Sequence, residues 1–94
     1  MWRIPTRKMD MDEEKTFGFN HTQFLNGDTI SSSTWIVPSE LLELSKSNTT
    51  THAYIKIKNS TGIEGSIYRI TNRFIFAISG DIRDKSIDVL LTSE

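Results

Sequence analysis

The side chains that most often carry chemistry are thinly spread along this chain. Its two histidines, His21 and His52, stand alone, with no second ligand at a metal-binding spacing. Three aspartates, Asp81, Asp84 and Asp88, lie close together, but they lack the glycine hinge of a calcium-binding loop. They are more simply explained as the solvated side of a strand. The pattern predicts no bound metal.

Motifs for phosphate binding and nucleophilic catalysis are missing as well. Residues 61–65, TGIEG, contain two glycines but not the Gly-Lys-Ser/Thr sequence of a phosphate-binding loop. The many serines include no Gly-x-Ser-x-Gly turn, and no side chain is placed to act as their base. Because none of the roles in an active site can be filled, we expect no enzymatic activity and no cofactor.

The composition argues against several classes of partner. Eleven basic and twelve acidic residues give a net charge of −1, so overall charge does not attract the chain to nucleic acid. The chain has no cysteine, which excludes disulfides and thiolate-bound metals. No apolar run approaches the roughly 20 residues of a membrane span, and residues 1–10 lack the apolar centre of a signal peptide. We therefore expect neither a nucleic-acid nor a membrane partner.

The elements that could position a site are short strands separated by turns. Alternating apolar residues and turn signals predict six strands, at residues 15–19, 29–37, 41–45, 52–58, 66–79 and 82–92. A single helical turn is expected at 21–25, followed by Gly27 in the left-handed conformation. Ile30 and Trp35 differ in parity across a run of serines, which predicts a β-bulge between them.

These short strands predict an all-β fold, an antiparallel sandwich of the immunoglobulin or fibronectin-III type. The strand over 29–37 is expected at the centre of the core because it carries Trp35. Tyr68 follows a glycine-containing loop and opens a strand, as in the tyrosine corner of immunoglobulin-like sandwiches. Asn72 and Ile78 are expected on the inner face of the same strand, where Asn72 needs backbone partners. The expected core residues, with Trp35 packed against Tyr68, Ile70, Phe74 and Val89, are Trp35, Val37, Tyr68, Ile70, Phe74, Phe76 and Val89.

Residues 1–14 differ from the sandwich domain predicted for 15–94, because no strand or helix period covers them. One interpretation is a frayed, solvated terminus. The other, which we favour, is an extended arm that docks on a neighbouring subunit, since tryptophan is enriched among the residues that dominate interfaces. The predicted partner-binding residues are Trp2, Ile4, Pro5 and Arg7.

Two segments of the chain resemble a known family. The first, residues 17–38, contains GDTISSSTWIVP, and the second, residues 68–86, begins YRITNR. The matching residues are Phe17, Phe19, Leu25, Gly27, Asp28, Thr29, Ile30, Ser32, Ser33, Trp35, Val37 and Pro38, then Tyr68, Ile70, Thr71, Asn72, Arg73, Gly80, Arg83, Asp84 and Ser86. Over residues 8 to 92 the chain resembles the small fiber-tail adaptor proteins of tailed phages. It departs from their pattern at Asn20 and His21, where Asp-Trp is usual, and at Ile82, where Gly-Arg is frequent.

The resemblance implies a non-enzymatic structural virion protein that joins tail or neck to fibers. The implied partners are other virion proteins, namely a tail adaptor or nozzle and the N-terminus of a fiber, with several copies set by particle symmetry. The protein would be made in the host cytoplasm and reside in the tail or neck of the virion. Two alternatives stay open: an immunoglobulin-like capsid decoration, and a module that adheres to host glycans.

Overall fold

The computed structural model describes residues 4–93, which form seven strands and one short helix. In chain order the elements are β1 (Thr6–Asp10), β2 (Glu14–Asn20), α1 (Thr22–Leu25), β3 (Ile30–Ile36), β4 (Leu41–Asn48), β5 (His52–Asn59), β6 (Ile67–Phe76) and β7 (Ile82–Thr92). The strand after Pro38 is therefore longer than the predicted 41–45. The helical turn and the left-handed Gly27, at φ 88°, lie where the sequence predicts them.

Two sheets pack face to face as a sandwich. The four-stranded sheet has the order β1-β7-β6-β3, and the three-stranded sheet has the order β2-β5-β4. All neighbouring strands are antiparallel except β1, which runs parallel to β7. The prediction of a mostly β, two-sheet sandwich is confirmed.

The middle strand of the smaller sheet, β5, shows how the sequence pattern produces the buried face of the sandwich. In β5, Ala53, Ile55 and Ile57 are fully buried, whereas the intervening Tyr54 and Lys56 point away from the core. Strict alternation turns every second side chain inward, and β-branched isoleucine suits a pleated surface. The predicted alternation of this strand is confirmed.

The strand that carries Trp35 lies at an edge. The register of β3 against β6 shifts between Ile30 and Ser32, so the predicted bulge is confirmed. The Ser31 hydroxyl donates to the Ile75 carbonyl at 3.1 Å across this irregularity. Trp35 is buried in the core as predicted, but the strand is not central in its sheet, because β3 is the outermost strand of the four-stranded sheet. Its Trp35 side chain reaches the core from that edge.

Over residues 6–14, the described structure is not an extended N-terminal arm. Thr6–Asp10 is strand β1, paired with β7 from Thr6 against Asp88 to Asp10 against Thr92. Met9 is buried in the core, and β2 already begins at Glu14. The expected arm is therefore wrong for residues 6–14, because an exposed edge of β7 and an apolar contact for Met9 offset the cost of ordering them. Trp2 lies outside the described residues.

The expected core residues fall into two clusters. Trp35, Ile70 and Val89 are buried in the larger cluster, with Val37 and Tyr68 half-buried against it. Phe74 is buried in a smaller cluster with Leu25 and Ile30, and Phe76 packs against that cluster. The grouping of Phe74 with Trp35 is thus wrong, because the two belong to different clusters. The rings stacked on Phe74 are those of His21, at 3.8 Å between centroids, and Phe76, at 5.6 Å. Ile78 is exposed, because β6 ends at Phe76.

Candidate partner-docking site

One end of the sandwich gathers exposed apolar and basic side chains around two open grooves. This end, called the α1 end below, consists of α1, the loop of residues 77–81 and the first residues of β7. Ile78 and Ile82 are 81% and 64% exposed. The grooves have volumes of about 710 and 510 Å³, and Phe24 and Arg83 line both of them. Such a surface has the chemistry of a protein contact.

The loop that presents Ile78 is held by Asp28. The Asp28 carboxylate accepts hydrogen bonds from the backbone N–H of Ile78 at 2.9 Å, Ser79 at 3.1 Å and Thr29 at 2.7 Å. Asn26 and Gly27 adopt positive φ, which ends α1 and turns the chain so that Asp28 faces the loop. Partial burial acts to raise the pKa of Asp28, but these donors outweigh it and the pKa lies below its ordinary value. The loop is therefore tied to the start of β3.

A polar pair lies beneath the site. His21 and Asn72 are both fully buried, and His21 Nε2 is 2.9 Å from Asn72 Oδ1. The Asn72 amide nitrogen donates to the Thr34 carbonyl and the Ser33 hydroxyl, each at 3.3 Å, so the amide oxygen must face His21. His21 Nε2 consequently carries a proton and donates. Asn72 thus has the backbone partner that the sequence analysis requires, namely the Thr34 carbonyl.

Burial determines the charge of this histidine. Desolvation lowers the pKa of His21, the hydrogen bond from His21 to Asn72 opposes that effect, and the positive charge of Lys85 adds to it. His21 is therefore neutral at neutral pH, and its role is structural.

Two basic side chains border the site. The Arg83 guanidinium lies 4.9 Å from the centroid of the Phe24 ring, and the Lys85 ammonium lies 5.5 Å from the same ring. Lys85 also donates to the Asn20 carbonyl at 3.3 Å, and burial lowers its pKa. Among residues 4–93, no carboxylate lies within ion-pair distance of either cation. Arg83 and Lys85 thus border the site without an ion-pair partner in the described part of the chain, while Asp28 and Asp81 line the larger groove.

The predicted partner-binding residues are only partly brought together. Ile4 and Pro5 line the smaller groove beside Phe24. Arg7 lies in β1, where its guanidinium donates to the Thr6 carbonyl at 3.5 Å, outside the groove. Sequence reasoning missed Phe24, Arg83 and Lys85 as site residues. Of these, only Arg83 had a signal, because it belongs to the second motif of the family resemblance and no core role explains it.

Other chemistry finds no support in the described part of the chain. Within residues 4–93, no three His, Asp or Glu side chains are close enough together to hold a metal ion. The single helix described, α1, is far too short to cross a membrane.

Comparison with known proteins identifies the family. No curated protein and no solved structure matches the chain. The family described as podophage GP4 fiber-tail adaptor protein gp77 matches residues 9–90, from β1 to β7. The chain therefore belongs to the podophage fiber-tail adaptor family, whose members are non-enzymatic structural proteins of the virion tail that bind fibers and tail.

Proposed function

We propose that the chain is an immunoglobulin-like connector that joins tail and fibers, and that its α1 end makes one of the two contacts. The observation that supports this proposal is the family match over residues 9–90, which covers strands β2 to β6 completely and most of β7. The orders β2-β5-β4 and β7-β6-β3 correspond to strands B-E-D and G-F-C of an immunoglobulin domain. The Tyr68 hydroxyl accepts from the Ile63 N–H at 2.9 Å, five residues upstream, as in a tyrosine corner.

The outer face of the larger sheet is a poorer candidate for this contact. Arg69 pairs with Asp88 at 3.0 Å, and Arg73 donates two hydrogen bonds to Asp84, at 2.9 and 3.1 Å. These charges satisfy one another across β6 and β7, so a partner would gain little by replacing water there.

The α1 end is a better candidate for this contact than the outer face of the larger sheet. A contact of standard size covers about 800 Å² per partner, roughly one-seventh of the accessible surface of 5851 Å². Ile78 and Ile82 are exposed enough to be covered by a partner, and Asp28 already fixes the loop that carries Ile78. A surface ordered before binding loses less conformational entropy on association.

The N-terminal residues extend this surface in our proposal. Ile4 and Pro5 line the smaller groove at the α1 end, and Trp2 precedes them in the chain. We propose that Trp2, Ile4, Pro5 and Arg7 contact an adjacent virion subunit, a tail adaptor or nozzle or the N-terminus of a fiber. Several copies would be arranged by the symmetry of the particle.

Adhesion to glycans has less support. Sugars commonly stack on exposed aromatic rings, and Tyr54 is the most exposed aromatic side chain among residues 4–93. Its ring lies against Gly18, where an added Cβ would come within 2.8 Å of it. One half-covered ring is a small platform for such a site.

The test uses phage particles carrying one of two double substitutions. Ile78→Ser with Ile82→Ser alters the α1 end, and Ile63→Ser with Ile67→Ser is the control, with exposures of 67% and 57% at the opposite end of β6. We expect the first pair to reduce incorporation of the adaptor or retention of fibers, and the control pair to leave both unchanged. Equal loss with both pairs, or no loss with either, would contradict a contact at the α1 end.

A further inference from the structure

Strand β3 forms the edge of the larger sheet that lies opposite β1. Its neighbour on one side is β6, and no strand of residues 4–93 pairs with its other side. That side is three strand spacings, about 14 Å, from the residues of β7 that share a groove with Ile4. The backbone of residues 1–3 cannot pair there, because three residues span at most about 11 Å. Residue 94 follows the far end of β7, beyond Thr92, and is too short to reach β3.

The free side of β3 presents the backbone groups of Ser33 and Trp35. The Asn72 side chain, on β6, donates to the Thr34 carbonyl at 3.3 Å, so the backbone groups of Thr34 face β6. Backbone groups of a strand point alternately to its two sides, and those of Ser33 and Trp35 therefore face away from β6. The loop hydrogen bonds of residues 4–93 include neither residue. Such a row of unpaired groups is a template for another strand.

This edge lacks the usual protection against pairing. Among the strands of residues 4–93, β3 is the one without a charged residue, with the sequence ISSSTWI over Ile30–Ile36. Proteins commonly protect sheet edges with charges or bulges, and the edge strand β4 has a register shift and the charges of Glu43 and Lys46. The register shift of β3 comes before Ser32. Residues 32–36 thus form a regular, uncharged edge.

The surroundings of this edge add no net charge to it. Thr34, at the centre of residues 32–36, lies opposite Arg73 of β6. The Arg73 guanidinium is paired with Asp84 at 2.9 Å, so its charge is compensated within the sheet. Ile36, on the same outer face as Thr34, is 47% exposed. A strand of the same sequence would therefore meet no like charge at this edge and would cover an apolar side chain.

We propose that two copies of this chain join through β3, antiparallel, around a two-fold axis that passes at Thr34. In this register Ser33 of each copy exchanges backbone hydrogen bonds with Trp35 of the other, which uses the groups that the free edge presents. Thr34 faces its own equivalent, a favourable cross-strand pair. A two-fold contact requires a surface complementary to itself, and an uncharged strand centred on threonine meets that requirement. The proposal concerns a surface other than the α1 end and goes beyond the proposed function.

The contact is small. The two reciprocal pairs make about four backbone hydrogen bonds, whereas a standard interface has about ten and covers about 800 Å² per partner. Pairing is therefore weak in dilute solution and is favoured where several copies are held close together, because proximity raises their effective concentration. The experiment must trap a weak dimer.

Cysteine cross-linking does so, because the chain has no cysteine of its own. Thr34→Cys places the same residue of both copies at a non-hydrogen-bonded position, where Cα atoms lie about 4.5 Å apart, within the range of a disulfide. Ser47→Cys is the matched control, since Ser47 is also a small exposed residue on an edge strand. With oxidised glutathione as the electron acceptor, Thr34→Cys should form disulfide-linked dimers at least about tenfold faster than Ser47→Cys at equal concentration.

Two further variants test the register. Ser32 faces Ile36 of the other copy, whereas the two copies of residue 32 lie about 13 Å apart along the strands. Ser32→Cys and Ile36→Cys should each cross-link slowly alone, and an equimolar mixture of the two should form the mixed dimer rapidly. Melting temperatures of the reduced variants verify that they are folded. The mixture also tests the contact if Thr34→Cys proves unstable.

Three outcomes would overturn the proposal. Equal rates for Thr34→Cys and Ser47→Cys would indicate random collision. Rapid cross-linking of Ser32→Cys alone would require a different register. The third outcome concerns particles that carry Thr34→Lys, which places a charge at the edge. If this variant reduces incorporation although Thr34→Cys does not cross-link to itself, the edge binds a strand of another virion protein.

Discussion

The two core clusters of this small sandwich are built on different physical principles. The larger cluster is apolar and contains Trp35 and most of the buried isoleucines. The smaller one, around Phe74 beneath the α1 end, lies against the polar pair His21 and Asn72. Apolar burial is non-directional and stabilises whatever packs well. Hydrogen bonds are directional, so the polar pair fixes how α1, β3 and β6 meet.

This difference suggests a division of labour within the fold. The larger cluster supplies the free energy of folding, and the polar contacts near the α1 end set the shape of the docking surface. The hydrogen bonds of Asp28 to the loop at 78–79 continue the same principle at the surface. Substitutions in the larger cluster should therefore cause large losses of stability. Substitutions of the polar contacts should mainly reduce the positional order of the α1 end.

Truncation in the larger cluster should have the largest effect. Trp35 is only 9% exposed, and its ring lies 5.0 Å from that of Phe19. We expect Trp35→Ala to reduce the free energy of unfolding by about 3–5 kcal/mol, because it removes buried area and leaves a cavity. Urea denaturation measures this loss, with Ile63→Ala as an exposed control. An unchanged midpoint for Trp35→Ala would show that this cluster does not supply the stability.

Removing one partner of the His21–Asn72 hydrogen bond should reduce the free energy of unfolding by less than Trp35→Ala does. The size of this loss should depend on which partner remains. Asn72→Leu leaves the His21 N–H buried without an acceptor, at a cost of about 1–3 kcal/mol. In a double-mutant cycle, His21→Phe combined with Asn72→Leu should cost clearly less than the sum of the single changes, because no buried donor is then left over. Strict additivity would mean that the two side chains are not coupled.

The charge state of His21 gives the smaller cluster a pH dependence. The pKa of His21 in the folded protein is below the 6.5 of the unfolded chain. The stability that depends on a neutral His21 is therefore fully present above pH 6.5. As the pH falls below 6.5, the unfolded state binds the proton more readily and stability decreases, by at most about 1.4 kcal/mol per pH unit. The measurement is urea denaturation from pH 7.5 to about 5.5, about one pH unit above the ordinary pKa values of carboxylates.

The variant His21→Phe provides the control for this pH dependence. It should flatten the decline in stability over that range, because Phe binds no proton. An equally steep decline in His21→Phe would assign the effect to another group.

The sequence was most informative where a pattern is local. Alternation within β5 and the parity change between Ile30 and Trp35 are properties of a few adjacent residues, and both predictions are confirmed. The parallel pairing of β1 with β7 joins residues about 80 positions apart, and only Met9 of β1 is buried. One inward side chain makes no detectable period, so the sequence predicts an arm for this segment.

The candidate site was hidden for a related reason. Ile4, Phe24 and Arg83 come from three distant parts of the chain, and only the fold brings them to one groove. Ile78 continues the alternation of β6 in sequence, yet it is exposed because the strand ends at Phe76. The sequence shows the alternation, but it does not show that the Ile78 and Ser79 N–H groups donate to the Asp28 carboxylate instead of continuing the strand.

The smallest effect on global stability, and the sharpest test of the division of labour, is expected at Asp28. Asp28→Ala removes the acceptor for the Ile78 and Ser79 amides, so their hydrogen exchange should accelerate by roughly tenfold or more, while core amides of β5 stay as slow as before. Asp28→Asn keeps one carbonyl acceptor and should give a smaller acceleration. Asp81→Ala is the matched control, because it removes the same charge at an exposed position of the same loop. If exchange in β5 accelerates together with that of the loop, Asp28 supports global folding and not the shape of the docking surface.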